Sequence, residues 1–114
     1  MSTPALTKYK LIFFVPLAAL EACKKAIFAA GAGRYPGSGN YTDVCFTSFG
    51  TGQFRPGATA NPHIGTPGTL EEVQEARVEI LCVGEEVVRG AVGGLKRAHP
   101  YEEPAYEVYK LEDF

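Results

Sequence analysis

Ala98-His99-Pro100-Tyr101-Glu102-Glu103-Pro104-Ala105-Tyr106-Glu107-Val108 (AHPYEEPAYEV) changes conformational character three times within one short stretch. Lys96 and Arg97, just before it, suit the last turn of a helix, where cations meet the negative end of the macrodipole. Pro100 drives His99 out of the helical region and ends that helix. Beyond Pro104, the run from Ala105 to Tyr109 alternates like a strand and carries aromatic residues. One tight helix-to-strand corner therefore holds an imidazole, a phenol and two carboxylates, from His99, Tyr101, Glu102 and Glu103.

The segments upstream supply the rest of the pattern. Glu85 to Arg97 places Val88, Val92 and Leu95 at helical spacing, with Glu85 and Glu86 favouring its N-terminus. Gly90, Gly93 and Gly94 weaken that helix by about 1 kcal/mol each relative to alanine, which makes sense where another backbone packs close. Arg77 to Val83 (RVEILCV) alternates cleanly, with Val78, Ile80 and Cys82 on one face. Leu70 to Glu75 fits either a short helical turn or the start of that strand. Asp43 to Phe49 (DVCFTSF) reads as a strand that stops at a turn or bulge over Gly50-Thr51-Gly52.

Tyr9 to Val15 (YKLIFFV) is apolar on both faces, as in a strand covered on both sides. Pro16 can open a helix on which Leu17, Leu20, Cys23, Ile27 and Ala30 share a face, with Glu21 and Lys25 spaced for an i,i+4 pair and Gly31 as the stop. Met1 to Thr7 reads as a short lead-in. The glycine-rich GAGRYPGSGN follows a helix instead of joining a strand to a helix N-terminus, so it is a connection and not a phosphate loop.

The order is strand, helix, strand, strand, helix, strand. It predicts an α+β fold, a ferredoxin-like βαββαβ sandwich: a four-stranded antiparallel sheet with two helices on one face. A single domain over residues 1–114 is expected, with its core in 8–111. The uncovered sheet face would then expose an apolar patch larger than soluble monomers usually tolerate, so a homo-oligomer is expected. A net charge of −2 gives no electrostatic case for nucleic acid or an anionic membrane. No apolar run reaches the roughly 20 residues of a membrane span, and the first residues lack the pattern of a secretory signal. The three cysteines (Cys23, Cys45, Cys82) are odd in number and widely spaced, which suits reduced buried thiols and a cytoplasmic location.

Pro56 to Thr69 is a long proline- and glycine-rich loop with His63 at its middle, and loops of this length in small domains are functional or disordered. With the second and third strands assigned to opposite sheet edges, this loop crosses a sheet end. It then meets the corner only if the two ends coincide, within or between subunits. The site this suggests joins His63, His99, Tyr101 and one of Glu102 and Glu103, since adjacent strand residues point to opposite sides. Its ligand would be a small anion or a divalent metal ion. Zinc accepts such ligands, although structural zinc prefers four and favours cysteine. Against this stands a structural role, in which His99 caps the helix end and bonds a carbonyl while one glutamate pairs with a cation. Cys45 as a nucleophile would need an imidazole in reach, and its neighbours Val44 and Phe46 point to burial instead. Tyr35, Tyr41 and Tyr101 fit packing at loop ends.

Four stretches, GNYTDVCFTSFGTGQFRP (39–56), NPHIG (61–65), LEEVQEARVEIL (70–81) and LKRAHPYEEPAYEVYKL (95–111), resemble the small domain inserted into Nif-three-like proteins. That family is also labelled dimetal-binding or GTP cyclohydrolase type 2-like. The resemblance runs from Lys8 to Leu111 and implies a CutA/PII-like sandwich that associates by its sheets, typically as a trimer, here as a stand-alone domain. In the family the two metals and any hydrolase chemistry belong to a main domain outside these residues. The resemblance therefore assigns no catalytic residue and no cofactor. Three functions remain open: a non-catalytic oligomeric binding or sensor module with a small ligand or metal ion near His99; a small enzyme using the His99/Glu102/Glu103 corner with the 56–69 loop as a lid; and a protein-interaction scaffold.

Overall fold

The structure, a computed structural model, describes residues 6–114, so most of the lead-in read into Met1 to Thr7 lies outside the described residues. Strand β1 (Lys8–Pro16) passes through a single 3-10 turn (Leu17–Ala19) into helix α1 (Leu20–Ala29). Strands β2 (Phe46–Phe54) and β3 (Glu71–Val83), helix α2 (Glu85–Ala98) and strand β4 (Tyr106–Leu111) follow. The sheet is antiparallel throughout, in the order β2-β3-β1-β4. This is the expected ferredoxin-like sandwich.

Period-two alternation sorts β1 into two faces. Leu11, Phe13 and Val15 are fully buried under the helices, together with Val78, Ile80 and Cys82 of β3 and Cys23, Ile27, Ala91 and Leu95 of the helices. Ile12 and Phe14 occupy the opposite face. Ile12 is nonetheless buried, flanked in register by Glu79 and Glu107, whose side chains are engaged by Arg77 and Tyr109. Long charged side chains thus cover part of the face that the sequence suggested was bare, while Phe46 and Tyr109 remain exposed on it.

Helix spacing is explained at one glycine. A Cβ on Gly94 would lie 3.1 Å from the Ala26 carbonyl oxygen, so the missing side chain lets α2 approach the backbone of α1. Gly93 meets only the end of Arg97, so it does not serve that purpose. On α1, Lys24 and not Lys25 pairs with Glu21, at 3.4 Å.

Two expectations about β2 and β3 need correction, and one left open is decided. The Gly50-Thr51-Gly52 segment is neither turn nor bulge; β2 starts at Phe46 and runs through it, paired with Glu75, Gln74 and Val73. The ambiguous Leu70 to Glu75 segment is strand from Glu71 onward. The two strands are also adjacent, not at opposite edges: they form a long hairpin, with β2 and β4 as the edges. Ladder hydrogen bonds to a neighbour override the weak strand preference of glycine and glutamate.

Candidate functional site

A hairpin between β2 and β3 carries its loop to the end of the sheet where β1 finishes, because β3, which starts at Glu71, sets Glu75 opposite the last residue of β1, Pro16. Strand β4 starts at the same end, opposite Phe13. The 56–69 loop and the His99 corner therefore meet within one subunit. Asn61 donates its backbone N–H to Glu102 Oε1 at 3.1 Å, tying loop to corner.

Between them lies a cavity of about 340 Å³. Tyr101, Glu102, Glu103 and His63 all line it. Residues 101–103 form a bend and not a strand, so both glutamates reach the cavity, contrary to the expectation that only one would. His99 does not line it. Its ring sits behind Tyr101, with centroids 4.9 Å apart, while His63 approaches the same tyrosine at 6.4 Å.

His99 is instead a clamp. The backbone N–H of α2's cap residue, His99 itself, still donates to Leu95, and the chain then turns extended ahead of Pro100. Tyr101 N–H donates to His99 Nδ1 at 3.1 Å. With Nδ1 accepting, the proton belongs on Nε2, which donates to the Phe14 carbonyl at 2.7 Å. Phe14 N–H meanwhile donates to Ala105 O at 3.1 Å, so the imidazole continues the β1–β4 ladder beyond the start of β4. Burial pushes the His99 pKa down, outweighing the Phe14 bond that raises it; His63 lowers it further. With both ring nitrogens engaged, His99 has no lone pair free for a ligand and fills the structural role, bonding a carbonyl beyond the helix end. Among the described residues no three His, Cys, Asp or Glu side chains gather as a metal site requires.

Several lining residues were invisible from sequence. Phe14, Phe54 and Glu75 join the wall, with the Phe54 and Tyr101 rings 5.9 Å apart. A Cβ at Gly52 would overlap the Glu75 carboxylate, so that glycine provides the room in which the carboxylate lies. Burial raises the Glu75 pKa, and burial followed by the Glu75 charge raises that of Tyr101. The Tyr101 hydroxyl is buried without a hydrogen-bond partner among the described residues. Only the hairpin register, which sets Gly50 opposite Glu75, could have disclosed this group. Cys45 packs against the core, and burial raises the pKa of both other thiols, Cys82 to about 11.

No family model matches the chain. A Halalkalibacterium halodurans protein named GTP cyclohydrolase 1 type 2 homolog is 43% identical over 103 residues, which cover 90% of this chain and 27% of that protein. A solved Bacillus cereus protein related to NIF3 superposes with a TM-score of 0.79 at 37% identity, covering 99% of this chain and 28% of that one. The chain is homologous to one segment of the Nif-three-like family. It spans about a quarter of the length of the Nif-three-like relatives it matches. The segment's fold is CutA/PII-like. The periplasmic divalent cation tolerance protein CutA from Archaeoglobus fulgidus matches over 94% of this chain and 86% of its own, with a TM-score of 0.64 at 14% identity. At that identity the likeness concerns the fold alone.

Proposed function

We propose that this Nif-three-like segment is a non-catalytic, self-associating module that binds a small molecule in the cavity between the hairpin loop and the corner. The observation that carries the reading is the cavity between loop and corner. A loop with little apolar periodicity is fastened across the sheet end by the Asn61–Glu102 bond. The space it encloses falls in the size range of small-molecule sites, roughly 300 Å³ and above. Apolar walls with a few convergent polar groups, here His63, Glu75, Glu102 and Glu103, are what such sites use for retention and orientation.

Self-association, as a trimer by likeness to the CutA fold, uses the sheet face away from the helices, where Phe46 and Tyr109 are exposed. A cytoplasmic setting without nucleic-acid or membrane partners accords with the charge of −2 and the unpaired thiols. No described helix is long and apolar enough to cross a membrane. The cyclohydrolase name belongs to proteins of which this chain spans 27%, and the activity it suggests is not part of the reading.

A thermal-shift ligand screen on wild type and on His63→Ala tests the pocket, since a ligand bound only by the folded state must raise Tm. Ligands whose stabilisation is lost in His63→Ala support it; ligands unaffected by both His63→Ala and Ala60→Trp place binding elsewhere and refute it. Light scattering gives the assembly: Phe14→Asp should yield a folded monomer, whereas a monomeric wild type at micromolar concentration ends the oligomer reading.

A further inference from the structure

The cavity combines an aromatic wall with an acidic rim. Phe14, Phe54 and Tyr101 supply rings to its lining. Its charged lining residues are three carboxylates, Glu75, Glu102 and Glu103, against one guanidinium, Arg55. Glu102 is committed to Asn61 through one oxygen. Glu75 makes no ion pair among the described residues, and its carboxylate lies across Gly52, beside the aromatic wall.

These facts decide the sign of the ligand's charge. A small anion, the ligand class suggested by the two histidines, would meet three carboxylates against the one guanidinium of Arg55, with His99 turned away to the backbone. A bare divalent ion would lack a third coordinating group. A cation attached to a flat apolar body meets none of these objections. Ring faces attract cations through their quadrupole. A desolvated carboxylate without a counter-ion gains most from a partner that donates to both of its oxygens.

We propose that the cavity selects an organic cation, a small flat ammonium or amidinium compound, with its charge on Glu75 and its apolar body among Phe14, Phe54 and Tyr101. This rests on the binding-module reading above and adds the chemical class of the ligand. The raised pKa of Glu75 agrees with it, since a carboxyl that burial makes easier to protonate is one that a bound cation would return to its ionised form.

Three probes of one shape separate the possibilities: benzamidinium, neutral benzyl alcohol and benzoate, each titrated into the full chain with NMR shifts followed at Phe14, Phe54 and Tyr101. Benzamidinium should bind about tenfold or more tighter than benzoate, and Glu75→Gln should remove about tenfold from it while leaving benzyl alcohol unchanged. An unchanged melting transition in Glu75→Gln shows that the fold is retained; if it is lost, Arg55→Gln provides the second variant, and it should tighten benzamidinium and weaken benzoate. Benzoate binding as well as or better than benzamidinium, or indifference of benzamidinium to both variants, overturns the charge assignment and leaves the pocket standing. Binding by none of the three overturns the pocket reading as well.

Discussion

Replacing His99 by alanine tests the clamp directly. The substitution removes Nε2–H from the Phe14 carbonyl and Nδ1 from the Tyr101 N–H, bonds of 2.7 and 3.1 Å. Both backbone groups meet a histidine that is only 6% exposed. A buried backbone group stripped of its partner costs about 1–3 kcal/mol. The ring also packs on Tyr101 at 4.9 Å, and that contact is lost too. Water entering the hole recovers part of the deficit. The expected loss is about 3–5 kcal/mol, a large share of the roughly 5–15 kcal/mol that stabilises a typical domain. Urea unfolding at fixed protein concentration measures it, since self-association would otherwise mix mass action into the result. A loss below about 1 kcal/mol with an unchanged m-value would show that the ring is not holding the corner.

Acidification should act through the same ring. The folded-state pKa of His99 is lowered from 6.5, so the unfolded chain binds more protons below that pH; stability is full above about 6.5 and falls as pH drops toward the folded value. Glu75, whose pKa is raised, contributes in the opposite sense in the carboxylate range, and His99→Ala should flatten only the former slope in pH-dependent urea melts. Native thiol labelling should modify Cys45 first, with Cys23 and Cys82 reacting only on unfolding, because both are fully buried with raised pKa values. Gly93→Ala should stabilise by up to about 1 kcal/mol through helix propensity, whereas Gly94→Ala should destabilise by about 1–2 kcal/mol by pressing on the Ala26 backbone; equal effects in thermal melts would refute the close-approach argument.

Sequence periodicity disclosed α1, β3's second half and α2 because each buries a face with a clear repeat, as in Val78, Ile80 and Cys82 or Val88 and Leu95, while β1 was legible as an apolar run of strand length. Periodicity missed the strand from Gly50 to Phe54 and left Leu70 to Glu75 open, because glycines and glutamates there have poor strand propensity and only mutual pairing makes them a hairpin. The corner was legible for a different reason: Pro100 and Pro104 restrict the backbone so tightly that little beyond a bend fits between them. The role of His99 was legible only as one of two readings, because a free imidazole and a clamped one have the same sequence context. Glu75 and Phe54 depend on hairpin register, and no local pattern marks them.

Connectivity places the site, and side chains then determine its chemistry. Each neighbour of β1 runs antiparallel to it, so β3 and β4 must both begin where β1 ends, and whatever precedes them must converge there. Here a long loop before β3 and a proline-bounded corner before β4 meet there and leave the cavity between them. Within it the labour is divided: His99 holds the backbone of Phe14 and Tyr101, and Tyr101 in turn forms part of the wall. Variants of His99 consequently move the wall as well as the stability and cannot report on ligand contact alone. Glu75 and His63 line the same cavity without supporting the corner's backbone, and substitutions there separate recognition from folding.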